Sequence, residues 1–209
     1  MVEQNPVLLR YSFQNRRIVH PLSIPHSAPA IKINFMNYYK YTDEWSPIGA
    51  GTRYVEVSNR WAIREVTVNG DLFLGSNICY PHWGLMLTDK AIDYDGIEEI
   101  TKITKEEFDA VWTAHLTHNA GRWAIMKLAY PIGTHIQGRV AVIFPQGVIV
   151  DLGDAGTLGV ANYDQCLATS TAGGVWSDFR ISAVVQDYDE LNHWLVLDKP
   201  QTHNDEGRD

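Results

Sequence analysis

The run "IGTHIQGRVAVIFPQGVIVDLGDAGTLGVANYDQC", residues 132–166, decides the fold. Its apolar residues alternate, first at Val140, Val142 and Phe144, then at Val148, Val150 and Leu152. Period-two alternation is the mark of a half-buried strand. Pro145-Gln146-Gly147 breaks the two runs apart, and Gly153, Gly156 and Gly159 punctuate the next turn and strand. A second run, "FRISAVVQDYDELNHWLVLD" at residues 179–198, places two more strand-like segments around an acidic turn. Four or five short strands joined by turn residues predict a small closed β-barrel.

Working outward, 209 residues hold one larger domain or two small ones. Apolar residues at 45% and charged residues at 20% predict a buried core through most of the chain. No apolar run approaches the length of a membrane span. The first residues lack a charged start followed by an apolar stretch, so no secretory signal is expected. Cys79 and Cys166 lie far apart without a C-x-x-C partner, which predicts reduced thiols in a cytoplasmic protein. The formal charge of −8 is uneven. Residues 1–130 carry 13 cations and 14 carboxylates, whereas residues 131–209 carry 4 and 11. An acidic C-terminal part repels a phosphate backbone and favours a basic partner.

Residues 1–34 form an expected extended leader, with Pro6, Pro21, Pro25 and Pro29, Arg10, Arg16 and Arg17, and short candidate strands at 7–11 and 31–34. Residues 35–120 predict an α+β domain, an antiparallel meander followed by one helix. "RYVEV" (53–57), "WAIREVTV" (61–68) and "LFLGS" (72–76) supply three strands. Ser58-Asn59-Arg60 and Asn69-Gly70 supply the hairpin turns, the latter a strong signal for positive φ. Thr104 and Glu107 form a capping-box pattern, and Phe108, Val111, Trp112 and Leu116 make one apolar stripe on the helix. Residues 121–131 are a connector, either strand or short helix. Residues 132–199 are the barrel domain, and residues 200–209 a disordered tail.

Two resemblances add to this. Arg53, Tyr54, Val55, Val57, Trp61, Arg64, Gly70 and the run 103–112 resemble a family of small bacterial domains of unknown function. Ile132-Gly133, Ile136, Gly138, Val140, Gly147, Val150, Gly159, Asp189 and Asn192 resemble the S-one RNA-binding repeat, the OB-fold repeat of the largest small-subunit ribosomal protein. That resemblance implies an all-β OB-fold barrel and an RNA-binding face of stacking aromatics. At the positions that would carry the stacking groups, this chain has Gln146, Ile149 and Asn162. The only cations in residues 131–198 are Arg139 and Arg180, among eight carboxylates from Asp151 to Asp198.

The chemistry of the other side chains is sparse. His115 and His118 share a helix face with Asp109 nearby, and are expected as surface histidines rather than metal ligands. Cys79 and His82 share a loop without an orienting acid. Asp93 and Asp95 are expected as solvated turn residues. No catalytic motif or cofactor is expected. The favoured expectation is a non-enzymatic protein-binding module with a basic partner, in its concrete form an immunity or antitoxin protein facing a cationic bacterial toxin. Its contact residues would be Asp151, Asp154, Asp164, Asp187, Asp189 and Glu190, on one barrel rim. The alternative is an RNA- or single-strand-binding protein that uses Arg139, Tyr163 and Arg180.

Overall fold

The computed structural model describes residues 36–203 apart from 89, 145, 146, 155 and 178. Its first half is a sheet. β1 (Met36–Asp43), β2 (Gly51–Ser58), β3 (Trp61–Asn69) and β4 (Leu72–Gly75) run as an antiparallel meander. β5 (Cys79–Tyr80) and β6 (Gly84–Leu85) form a separate short hairpin. β7 (Thr101–Ile103) then returns to pair with β1, giving the order β4-β3-β2-β1-β7. The three expected strands are present, but the sheet has five. The sequence patterning did not point to Met36–Asp43 as a strand, because its aromatic residues divide between both faces. The candidate strands at 7–11 and 31–34, and the leader arginines, lie outside the described residues.

The turns follow from local chemistry. Asn59 and Arg60 both take positive φ, 49° and 73°, between the paired Ser58 and Trp61. Two such residues let the turn match the twist of the strands it joins. At the next hairpin Asn69 still pairs with Leu72, so the turn sits on Gly70-Asp71, one place later than expected.

An open sheet has two faces, and both are covered. α1 (Lys105–His118) lies on one, where Tyr38 and Val66 pack with Phe108 and Trp112. The expected apolar stripe does this work. Thr104 caps the helix by accepting from the Glu107 N–H at 3.2 Å. The Glu107 carboxylate instead takes Lys40 Nζ from β1 at 2.7 Å, tying helix to sheet. The other face is covered by the segment around Leu87, Tyr94 and Ile100, packed on Tyr39, Val55 and Val57. A second helix, α2 (Ala120–Ala129), follows directly and fills the expected connector, which is thus a short helix rather than a strand.

The C-terminal strands close into a barrel. β8 (His135–Phe144), β9 (Gly147–Asp151), β10 (Leu158–Ala161), β11 (Arg180–Asp189) and β12 (Trp194–His203) join in the cyclic order β10-β12-β11-β8-β9. Counted from β8, the barrel order is 1-2-3-5-4 and back to 1, with β10 parallel to β12. β12 runs to His203, so residues 200–203, expected in the tail, complete a barrel strand. α3 (Tyr163–Thr169) lies between β10 and β11 and closes one end through the buried Cys166. α2 closes the opposite end, where Trp123 and Met126 join the barrel core.

One expectation about facing is overturned. A register shift at Ala141 breaks the alternation of β8. Val140 points into the barrel, but Val142 and Phe144 point outward and Ile143 turns in. A bulge inserts one extra residue and so reverses every side chain beyond it. Among the described residues, no helix is long and apolar enough to cross a membrane.

Candidate functional site

The outer face of the barrel at β8–β10 and the start of β12 is apolar. Phe144, Ile149, Leu158 and Trp194 form an apolar seam against Cys79, Leu85 and Leu87 of the N-terminal half. Ile149, one of the expected stacking positions, has no exposed surface at all. The short β5–β6 hairpin therefore covers this position. Gly156 shows how close the halves come. It takes φ +80°, its carbonyl accepts from Cys79 N at 3.2 Å, and an added Cβ would lie 2.4 Å from the Cys79 carbonyl oxygen. Asn162, a second stacking position, is the N-cap of α3 and accepts from Gln165 N at 3.1 Å. Gln146 lies outside the described residues.

The acidic residues divide. The antiparallel pairings put the β9–β10 loop and the β11–β12 turn at the barrel end that α2 covers. Asp151, Asp154, Asp187, Asp189 and Glu190 fall there, whereas Asp164 stands exposed in the first turn of α3 at the other end. The single rim expected for all six therefore loses Asp164. Three of the remaining five are engaged internally. Asp151 accepts from Cys79 Sγ at 3.2 Å and from Gly153 N at 2.9 Å. Asp154 accepts from the Tyr130 hydroxyl. Asp189 caps its own turn, accepting from Leu191 N, Asn192 N and Asn192 Nδ2. Asp187 and Glu190 remain exposed. Glu190 accepts from Trp123 Nε1 at 2.7 Å and Lys127 Nζ at 2.9 Å, and the Lys127 ammonium holds its carboxyl below its ordinary value.

Beside Glu190 the surface turns apolar. Trp123, Met126 and Tyr130 direct one side of α2 into the barrel. The helical repeat then puts Ala124, Ile125 and Leu128 on the far side. Ile125, Leu128 and the following Ile132 are 68%, 83% and 61% exposed, and Leu191 in the neighbouring turn is 58% exposed. The sequence carried this signal, because "AIMKLAYPI" has apolar residues on both sides of a helix that only one neighbour covers.

A groove of about 450 Å³ opens on the other side of Glu190, between β1–β3, α1 and the β11–β12 turn. Tyr38, Glu56 and Arg64 form one cross-strand row on its floor. Arg64 Nε donates to Glu56 at 2.6 Å, and Nη2 lies 3.7 Å from Asp109. Its guanidinium sits over the rings of Phe108 and Trp112, at 5.0 and 5.2 Å from their centroids. Arg64 Nη1 is buried with no hydrogen-bond partner among the described residues. Burial and the Glu56 carboxylate push the Tyr38 hydroxyl up to about 12.

The remaining candidates resolve as structure. His115 is fully buried, not the surface residue expected. Its Nε2 lies 2.7 Å from Asn77 Oδ1, and burial pushes it down to about 4. Its neighbour His118 is exposed. Cys79 faces Asp151 and not His82, which is exposed, and burial with that carboxylate pushes the thiol up to about 12. Such a thiol is a poor nucleophile. Asp95 accepts from the Tyr39 hydroxyl at 2.9 Å. Of the residues expected for nucleic acid, Arg139 and Arg180 sit directly opposite each other, exposed on β8 and β11. Tyr163 packs against the barrel core. No family model matches the chain, and no curated protein matches it either.

Proposed function

We propose that the protein is a non-enzymatic protein-binding module whose barrel is an OB-type scaffold, and that it docks a basic protein at the α2 end. The strand order, the parallel pairing of β10 with β12 and the helix between the third and fourth barrel strands support the scaffold. The observation that carries the docking is the exposure of Ile125 and Leu128 on one side of α2 and of Ile132 just after it, each more than three-fifths exposed, with the Glu190 carboxylate held on the same helix by Lys127 and Trp123. An apolar centre with a charged border is the anatomy of a protein interface. The negative charge of the C-terminal part selects a cationic partner and speeds its encounter. An immunity or antitoxin protein that neutralises a cationic bacterial toxin is the concrete form of this proposal.

The test starts with capture from the source cell on wild-type and Leu128→Asp baits, followed by titration of the purified partner. Wild-type binding that weakens about a hundredfold in Leu128→Asp, and less in Glu190→Gln, supports the proposal. A partner bound equally by both baits overturns it.

The paired arginines of β8 and β11 favour a second reading, a single-stranded nucleic acid on the wall that these two strands form. Electrophoretic shifts with single-stranded RNA at two salt concentrations separate the two. Tight binding that falls steeply with salt, and is lost in an Arg139→Ala/Arg180→Ala double variant, replaces the first reading with the second.

A further inference from the structure

We infer that the groove at Tyr38, Glu56, Arg64 and Leu191 is a peptide-binding pocket that takes an apolar–basic segment of the docked protein; this rests on the protein-binding reading above. The groove is contiguous with the proposed surface, because Glu190 lines it and also holds Lys127 and Trp123 of α2.

The floor specifies the ligand chemistry. Arg64 is 94% buried, and its Nη1 is a donor without a partner among the described residues. A buried donor left unpaired costs free energy, and since Nη1 has no accessible surface, an acceptor reaches it only where the floor gives way to the ligand. That acceptor is best neutral. The lining holds three carboxylates, Glu56, Asp109 and Glu190, against two cations, Arg64 and Lys105, so an anion meets net repulsion. A peptide carbonyl is a neutral acceptor.

The walls specify the rest. Trp112, Leu116 and the exposed Leu191 and Met36 offer apolar contact to a side chain. Asp109 and Glu190 stand at the open side, with side chains 36% and 60% exposed. Their partners Lys105 and Lys127 are also partly exposed, and such surface ion pairs are weak. A basic side chain of the ligand can therefore take the place of a lysine. One carbonyl, one apolar side chain and one cation fit a short peptide segment, and the groove volume of about 450 Å³ falls within the range of ligand pockets.

The probe is N-acetyl-leucyl-arginine amide, titrated into the full chain and followed by backbone amide chemical shifts. Saturable shifts confined to α1, residues 190–191 and the floor strands around Tyr38, Glu56 and Arg64 are expected. Binding about tenfold weaker is expected for N-acetyl-leucyl-glutamate amide and in Leu191→Ser, an exposed change that spares the fold. An absence of saturable shifts, shifts centred elsewhere, or equal binding of the two peptides overturns the pocket. The purified partner separates the two proposals. If Leu128→Asp abolishes partner binding while Leu191→Ser leaves it intact, the docking surface stands and the groove falls. If neither variant affects the partner, the docking surface falls, and the peptide titration still decides the groove.

Discussion

The two five-stranded arrangements of this protein solve the same burial problem differently. The barrel closes on itself, so it has one interior, and that interior is apolar: Val140, Val148, Val150, Val185 and Leu195 have almost no exposed surface. The N-terminal sheet is open, so it has two faces, and each carries a buried ion pair. Under α1, Arg64 joins Glu56 at 2.6 Å. On the other face, Arg53 joins Asp43 at 2.6 Å and Glu65 at 3.3 Å. Burial pushes the Glu65 carboxyl up, while the Arg53 guanidinium and the Thr88 N–H pull it down. The closed structure can rely on packing alone. The open one is specified partly by charges that tolerate only one register. A one-residue slip would move every partner to the opposite face.

The largest expected effect comes from breaking the charged face. Arg64→Ala strips the rings of Phe108 and Trp112 of their cation and leaves Glu56 buried without its guanidinium. A loss of about 3–5 kcal/mol is expected from urea denaturation. The double variant Arg64→Met/Glu56→Gln should recover much of that loss. If the double variant is as unstable as the single one, the charge is not what specifies the sheet.

In the barrel, Leu195→Ala should cost about 2–5 kcal/mol by leaving a cavity, with no dependence on salt or pH. A salt-dependent loss would show that the two cores do not differ in kind.

The seam between the two halves is tested by Gly156→Ala. The new Cβ would meet the Cys79 carbonyl oxygen at a left-handed φ of +80°. A loss of about 1–3 kcal/mol is expected. Heteronuclear spectra should show the shifts concentrated around Cys79 and Ile149, and unchanged shifts there would contradict the seam.

The smallest effect is in pH. The fold holds His115 at about 4, below its ordinary 6.5, because burial disfavours the imidazolium. His193, stacked on Trp123 at 4.9 Å, is lowered by burial as well. A lowered folded value means that the unfolded chain binds the proton first. The stability that His115 contributes is therefore complete above pH 6.5 and is lost progressively as pH falls toward 4. The slope is at most about 1.4 kcal/mol per pH unit for one group. The difference between wild type and His115→Gln, followed by urea midpoints from pH 7.5 to 5, should show this slope. A difference independent of pH would contradict the neutral buried imidazole.

Much of the local structure was legible in the residues. Thr104 announced its cap and Phe108 and Trp112 their face. Gly70 announced a hairpin, and the valines of β9 announced a strand, because each signal depends only on neighbours within one turn or one strand. The candidate surface was less legible. The acidic residues were visible as charges, but Asp151, Asp154 and Asp189 are engaged with Cys79, Tyr130 and their own turn, and only the folded chain brings the first two partners near.

The sequence by itself determined that residues 132–198 alternate and turn often enough to make barrel strands, and that residues 131–209 carry the negative charge. Only the tertiary structure decided which faces are available. The bulge at Ala141 turned Val142 and Phe144 outward, and the β5–β6 hairpin then covered them together with Ile149. α2 instead put one side into the barrel and left Ile125 and Leu128 in solvent. The physical reason is that alternation fixes which residues share a side, whereas burial of that side depends on segments more than 50 residues away, as Cys79 is from Asp151.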